Sequence, residues 1–427
     1  MNLKNIIKKI INVNLFNYIL IKILFFSSKK SNYLRLNYEL NKRKLTLKSY
    51  PTFIFFNTTN LCNYRCKFCE IHYFYPFAKS KTGKVFPNNV NIDFIEKFRR
   101  LFKKSVFIEL SGATGEPLLN PNFIEICKKL KKFKINLHAT TNASLLNTSI
   151  SKELVKMKFN TIVASIHSGD KDIYQELQGG DLNMIFNNIK TLIEIRNTKN
   201  SVLPRIIINC SLFKLNHYTL KNLIKQAKEI GIDLVNIYHY YASRNKLEKD
   251  VSYFFDSEEG NKILDELYEY ARNIDQKITP LTPNYINIDS MDKNIKNNCN
   301  QPWKNIKFKG CVEHENSHYI GGCNRIMLFR LNYKEFKGDF IKDIWNHELF
   351  IYLRKTVLQN PICKFCNDVN TPKLRCINNK EYQIKRDKAI EEFFIEVSKN
   401  IEITPRKGIY LIHKNPYEYK DYYEKLK

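Results

Sequence analysis

Asn60-Leu61-Cys62-Asn63-Tyr64-Arg65-Cys66-Lys67-Phe68-Cys69 follows closely on the apolar run Thr52-Phe53-Ile54-Phe55-Phe56. The run reads as a short strand and the cysteine stretch as the loop that leaves it. The loop spaces Cys62, Cys66 and Cys69 as C-x3-C-x2-C. Three thiolates on one short loop can hold three corners of a metal cluster. A 4Fe–4S cube has four irons, so one iron stays open to another ligand, which is what a cluster needs to do chemistry rather than only pass electrons. Taken alone, the three cysteines leave two other readings open: a zinc site with His72 as fourth ligand, and a disulfide scaffold.

The whole chain narrows these. Its 427 residues suffice for two domains and a substantial core, and a hydrophobic content of 43% is ordinary for a globular protein. Eleven cysteines, an odd number scattered over a large chain, argue against a disulfide framework and for reduced thiols and metal ligands in a cytoplasmic setting. No secretory signal with a small-residue cleavage site is visible. The net charge of +28 suggests nucleic acid or an anionic membrane at face value. Lys, Asn and Ile are used heavily throughout, however, which reads as a compositional bias; no nucleic-acid module accompanies the charge, and no nucleic-acid partner is expected.

Outward from the loop, apolar runs alternate with helical patterns. Val106–Leu110, Ile135–Ala139, Phe159–Ile166, Ile206–Cys210 and Leu234–Tyr238 read as five further strands. Between the first two strands lies a helix with Phe94, Ile95, Phe98, Leu101 and Phe102 on its apolar face, and another carrying Leu220, Leu223, Ile224, Ala227 and Ile230 ends at Gly231, a C-terminal cap. Six strands separated by helices indicate parallel βαβ units in an α/β fold, either an open doubly wound sheet or a barrel. Residues 1–50 hold a single acidic residue, Glu39, and eleven Lys or Arg. Their stretch Ile10–Phe26 is too interrupted for a membrane span; a helix packed on the domain and an amphipathic helix making peripheral membrane contact are the two readings. Residues 244–298 read as a linker with one helix, about Ser257–Asn273, and 381–427 as a charged, aromatic tail. Cys127 and Cys210 lie in apolar patterns and read as buried core residues.

Motifs fall at the strand ends. Ser111-Gly112-Ala113-Thr114-Gly115-Glu116-Pro117 follows the second strand, Thr140-Thr141-Asn142-Ala143 the third, and Ser165-Ile166-His167-Ser168-Gly169 the fourth. Tyr174-Gln175-Glu176-Leu177-Gln178-Gly179-Gly180 comes next. The order and spacing of these segments, with Phe68 just before the third cysteine of the loop, resemble the radical S-adenosylmethionine (radical SAM) enzymes over about Thr52 to Tyr241. The resemblance selects a partial (β/α)6 TIM-type barrel for residues 51–243, with the chemistry at the C-terminal strand ends. It implies a 4Fe–4S cluster on Cys62, Cys66 and Cys69, with S-adenosyl-L-methionine chelating the open iron. It implies SAM contacts from Phe68, Gly112, Gly115, Glu116, Pro117, Asn142, Ser165 and His167. The chain departs from the family pattern in two places: Thr114-Gly115 stands for a glycine pair, and His167 for a frequent Asp.

The last third carries Cys299-Asn300-Gln301-Pro302-Trp303, then Cys311, Gly321-Gly322-Cys323, Ile344-Trp345-Asn346, Leu353-Arg354 and Cys363-Lys364-Phe365-Cys366. This resembles a SPASM or twitch extension, placed at 299–380, which implies a smaller C-terminal iron–sulfur domain and an auxiliary 4Fe–4S cluster. Cys299, Cys323, Cys363 and Cys366 are its expected ligands, with Cys311 an alternative to Cys323 and a structural zinc an alternative to the cluster. The implied activity is hydrogen abstraction from a substrate C–H bond by a 5′-deoxyadenosyl radical, ending in oxidation, epimerisation or bond formation. Flavodoxin or ferredoxin is the implied electron donor. A small molecule or carbohydrate is the expected substrate, because residues 1–50 are short for a peptide-recognition domain; a ribosomal peptide or protein side chain is the alternative. From a different class, a zinc-containing nucleic-acid-binding protein accounts for the charge but not for the Gly-Glu-Pro segment. No catalytic acid or base is singled out.

Overall fold

The computed structural model describes residues 28–69, 89–110, 115–240, 257–279, 299–310, 316–323, 326–364 and 379–412. The stretch Ile10–Phe26, together with His72, Gly112, Cys311 and Cys366, lies outside them.

Seven strands run parallel in chain order: β1 (Phe53–Phe56), β2 (Phe107–Glu109), β3 (Asn136–Thr141), β4 (Thr161–Ser165), β5 (Arg205–Leu212), β6 (Leu234–His239) and β7 (Ile278–Thr279). Helices separate successive strands, so the core is the partial barrel of an α/β protein. Alternation sets the two faces of each strand. Ile54, Phe56, Ile108, Leu137, Ala139, Ile162, Ala164, Ile206 and Ile208 are fully buried against the helices. Their neighbours Phe55, Glu109, His138, Thr140, Ser165 and Asn209 point the other way, into the concave lumen, and are half-buried.

Residues 244–298, expected as a linker with one helix, hold that helix at Ser257–Asn273 and also supply β7, which pairs with β6. The helical pattern over 92–104 is broken at Phe98 into Ile92–Lys97 and Arg99–Lys104. The break turns Phe98 toward Phe308, Phe336 and Phe340 of the last third of the chain.

That last third is not a detached lobe. β8 (Asn305–Gly310) pairs in parallel with β1, so β1 is hydrogen-bonded on both sides. β9 (Ser317–Gly321), β10 (Phe329–Asn332) and β11 (Ile409–Leu411) follow as antiparallel neighbours, giving one sheet in the order β11-β10-β9-β8-β1-β2-β3-β4-β5-β6-β7. One hydrophobic core runs under both parts. Phe94, from the barrel's first helix, packs on Phe56, Phe308 and Tyr333, and each such buried ring contributes about 1.5–3 kcal/mol.

The landmarks Pro302-Trp303, Trp345-Asn346 and Arg354 turn out to be one polar clamp. Arg354 is 2% exposed. Its guanidinium donates to the carbonyls of Pro302 (3.0 Å), Leu45 (3.0 Å) and Trp345 (2.9 Å) and lies over the Trp345 ring. Trp303 Nε1 donates to the Lys44 carbonyl, and the Asn346 amide makes a two-way pair with Leu47. The segment 44–47 is thereby threaded between three parts of the C-terminal unit. The helix before it, Ser28–Asn41, is nailed to the floor of the barrel by Lys29, whose Nζ donates to the carbonyls of Ser105 (2.6 Å) and Lys134 (3.0 Å). Among the described residues, no helix is long and apolar enough to cross a membrane.

Two predictions follow from these polar anchors. Arg354→Met strands three buried carbonyls and should cost about 3 kcal/mol or more in denaturant unfolding, and Arg354→Lys should not restore it, because one ammonium cannot span the fork. Burial lowers the Lys29 pKa from 10.5 to about 7, so the folded state holds this amine neutral over a window where the unfolded chain binds a proton. Stability from this site is therefore absent below pH about 7 and accrues from there up to about 10.5, at up to about 1.4 kcal/mol per pH unit. The stability difference between wild type and Lys29→Met, measured across pH 7 to 10, should rise with pH; a flat difference overturns the assignment.

Candidate active site

The cysteine loop leaves the C-terminal end of β1 and lies across the ends of β2, β3 and β4. Each neighbour grips it through polar atoms that the chain pattern had placed at those ends. Asn120, just past the Gly-Glu-Pro turn, donates to the carbonyls of Thr58 (2.6 Å) and Val90 (2.9 Å). Glu116 N donates to Leu61 O at 2.6 Å. Asn142 Nδ2 donates to Asn63 Oδ1 (2.9 Å), and Asn63 Nδ2 in turn reaches Ser144 Oγ (2.9 Å). On the far side, Lys67 N donates to Leu177 O (2.9 Å) and Cys66 Sγ lies 3.7 Å from Gln178 O.

Two glycines make this closeness sterically allowed. Gly115 has φ +87°, and a Cβ there would collide with the Thr59 carbonyl and sit 2.9 Å from Leu61 O. Gly180 has the Tyr64 ring against the place where a Cβ would be. A side chain at Gly115 collides with the Thr59–Leu61 backbone and pushes it off the sheet edge, while one at Gly180 forces the Tyr64 ring to move.

Glu116 is 2% exposed. Its carboxylate accepts from Thr141 Oγ1 (2.6 Å), Asn142 N (2.8 Å) and Leu118 N (3.1 Å). Burial still pushes its pKa up, with those three donors acting in the opposite direction. Pro117 opens the turn Pro117–Leu119 and is buried beside it. Ser165 offers its carbonyl to Gln178 Nε2 (2.9 Å). His167 is anchored on three sides: its N donates to Gln178 Oε1 (2.8 Å), its carbonyl accepts from Asn216 Nδ2 (2.5 Å), and its Nδ1 accepts from Ser211 N (2.9 Å). The last bond puts the ring proton on Nε2. Burial lowers the His167 pKa to about 3, so the imidazole is a neutral N–H donor at any physiological pH. Phe68 stands edge-on to His167 and packs on Phe213 and Tyr240, and Tyr240 Oη donates to Phe68 O (3.2 Å).

All three thiols are part-exposed and reduced. Burial pushes the Cys62 thiol up to about 11 and Cys66 further still, and thiolates at Cys62 and Cys69 raise Cys66 in addition. Bare thiolates are thus disfavoured together here; cationic irons are the compensation that such a donor set fits. Among the described residues, no three His, Cys, Asp or Glu side chains converge on a single metal ion. In the C-terminal unit, Cys299 leads into the helix Gln301–Lys304 and β8, and Cys323 follows β9. Because Gly321 pairs with Lys307, Cys323 comes level with the start of β8, the end to which Cys299 leads. Cys363 N bonds the carbonyl and side chain of Asn360.

Asn63, Asn120, Gln178 and Tyr240 carry much of this arrangement, and the sequence reading had not singled them out. Gln178 left one signal: a polar residue on the buried face of an amphipathic helix, beside Tyr174 and Leu177 and directly before two glycines.

A parallel partial barrel with a three-thiol loop pinned at the C-terminal edge of its first strand defines a class. The profile of the Radical SAM superfamily matches residues 56–209, so this part of the chain is a radical SAM domain. Among curated proteins it is similar to "Probable GTP 3',8-cyclase" of Thermococcus kodakarensis, 26% identical over 177 residues, which is 40% of this chain and 52% of that protein. It is also similar to "Radical SAM cyclopropyl synthase TigE" of Paramaledivibacter caminithermalis, 26% identical over 231 residues, 50% of this chain and 45% of that one. The alignments thus span about half the length of these two relatives. Among solved structures, Streptococcus suis SuiB bound to S-adenosylmethionine superposes with a TM-score of 0.56 at 16% identity, over 82% of this chain and 80% of that one, which speaks for a shared fold.

Gly115→Ala adds a left-handed-region penalty to a backbone collision and should destabilise by about 2 kcal/mol or more. Because the collision is with the loop's own carbonyls, iron retained per chain after reconstitution should fall with it. A variant that unfolds like wild type and retains full iron would show that the loop does not depend on this approach.

Proposed function

We propose that this protein reductively cleaves S-adenosyl-L-methionine and starts its reaction by abstracting hydrogen from a substrate C–H bond. The observation that carries this is the three-thiol loop fastened to the ends of β2, β3 and β4 beside a half-open polar lumen. Cys62, Cys66 and Cys69 would hold the 4Fe–4S cluster. When bound, such a cluster would supply one electron to SAM, whose sulfur–C5′ bond would break to release methionine and the 5′-deoxyadenosyl radical that would take the hydrogen atom.

The chain's own residues do the rest. Glu116, Thr141 and Asn142 lock the turns on which SAM would rest, where Gly112 and Gly115 would contribute backbone contacts. His167 presents a neutral Nε2–H, and Ser165 lies on the same strand end. Phe68, packed among His167, Phe213 and Tyr240, excludes water from one side of the site, as a reactive radical requires. Cys299, Cys323, Cys363 and Cys366 would hold an auxiliary 4Fe–4S cluster in the C-terminal unit. Flavodoxin or ferredoxin would supply electrons, and the chain's net positive charge suits a small acidic donor.

A small molecule or carbohydrate remains the first substrate reading. A peptide side chain is the second, favoured by the similarity to TigE and by a fold shared with SuiB, which has also been solved bound to precursor peptide SuiA.

Anaerobic iron and sulfide analysis of wild type and a Cys62/Cys66/Cys69→Ala variant tests the reading, with 5′-deoxyadenosine measured after dithionite and SAM. The expectation is about eight irons in wild type, about four in the variant, and nucleoside from wild type alone. About four and none would leave the C-terminal cysteines to zinc or no metal; zinc without iron and no nucleoside would overturn the proposal.

A further inference from the structure

The lumen face of β8 carries a feature that neither the family resemblance nor the cysteine pattern accounts for. Along β8 the residues alternate: Ile306 and Phe308 are fully buried against the helices, while Lys307 and Lys309 are half-buried on the lumen side. β8 belongs to the C-terminal unit, yet it lies against β1 in parallel register, with Lys307 opposite Phe55. Lys307 Nζ sits over the Phe55 ring, 4.5 Å from its centre. On the other side of β1, Phe55 is opposite Glu109, which accepts a hydrogen bond from Thr140 Oγ1 at 3.3 Å. Three adjacent strands therefore present Lys307, Phe55 and Glu109 in one row, with roughly 10 Å between the backbones that carry the two charges. Lys309 is one step nearer the cysteine loop. Its neighbour Phe308 accepts from Asn57 N at 3.0 Å, three residues before the loop begins, and Lys309 is itself opposite Tyr319 of β9.

We propose that this row reads the substrate: an oxyanion, carboxylate or phosphate, is held by Lys307 and Lys309, the body of the molecule lies over Phe55, and a hydrogen-bond donor such as an amine or hydroxyl meets Glu109 and Thr140. Charges of opposite sign at the two ends of an apolar ring favour a polar, doubly functional molecule in one orientation. Half-burial strengthens both contacts relative to the solvated surface. The C-terminal unit thus contributes directly to the substrate chamber, through the strand that continues the barrel past β1. The proposal rests on the radical SAM reading for the location of the chamber, and its test is chosen to separate the two.

The test is lysine reactivity in the reconstituted wild-type holoenzyme, mapped by peptide mass spectrometry after brief acetylation at constant ionic strength. Inorganic pyrophosphate and glutarate are the probes, one for each oxyanion. Lys152 and Lys199, exposed on the outer groove between the helices Thr148–Lys156 and Leu182–Thr198, are internal controls. The expected result is severalfold slower acetylation of Lys307 and Lys309 with one probe and no change at the controls; the probe that protects identifies the oxyanion. Equal protection of all four lysines, or of none, overturns the proposal, since the first is unspecific charge screening. Full protection by SAM alone, with nothing added by either probe, reassigns the lysines to the cofactor and also overturns it. A second measurement uses a Lys307→Gln/Lys309→Gln variant and a Lys152→Gln/Lys199→Gln comparison: binding of the protecting probe at about 0.15 M salt should weaken about tenfold in the first only. Selective protection in a protein that forms no 5′-deoxyadenosine would keep the oxyanion site and sink the radical reading; nucleoside without selective protection would do the reverse.

Discussion

β1 is hydrogen-bonded in parallel to β2 on one side and to β8 on the other, and the rest of the structure depends on that double pairing. A first strand of a partial barrel would otherwise be an edge, with a row of unpaired backbone groups and freedom to fray. Here the strand that delivers the cysteine loop is an interior strand of a sheet that has eleven strands among the described residues. Ile54 and Phe56 anchor it from below, and the loop leaves from a backbone with no room to shift. The position of the three thiols therefore depends on residues more than 230 positions away in the chain, which supply β8.

Polar groups, together with the buried ring of Tyr64 and the half-buried ring of Phe68, hold the loop itself in place. It is too short and too polar to bury a core of its own, so its carbonyls and amides are taken up one by one by Asn120, Glu116, Asn142 and the carbonyl end of the helix Lys171–Gln178. Each such bond is worth only about 1 kcal/mol net, but leaving a buried partner unsatisfied costs more, which makes the network cooperative in its failure. The same economy governs the clamp around residues 44–47. There a single buried guanidinium meets three carbonyls and a Trp face, an arrangement that lysine geometry cannot reproduce. The landmarks Pro-Trp, Trp-Asn and Leu-Arg thus clamp segment 44–47 onto the C-terminal unit.

Much of this was legible in the chain. The alternation of Ile135, Leu137 and Ala139 with Asn136 and His138 places β3 and its two faces, because a strand's side-chain period of two is a local property. Gly231 ends its helix in the left-handed conformation, as its position after an apolar stripe implies. Other features left no local mark. The bend at Phe98 serves rings more than 200 positions further along the chain, and β7 is two residues long, below what an apolar run can announce. Gln178, Asn63 and Asn120 look like ordinary polar residues until the strand ends they bridge are brought together.

By itself, the sequence determined the strand–helix alternation of a parallel α/β class and the three-thiol loop with the turns that follow each strand, because these are set by period, spacing and turn chemistry within short windows; the choice of a barrel over an open sheet came from the family resemblance. Only the tertiary structure decided that the C-terminal unit continues the same sheet, that Glu116 and His167 are buried and held by their surroundings, and that Lys307 falls in one row with Phe55 and Glu109. Those outcomes depend on which distant strands lie side by side and on how far water is excluded between them, and neither quantity exists until the chain has folded.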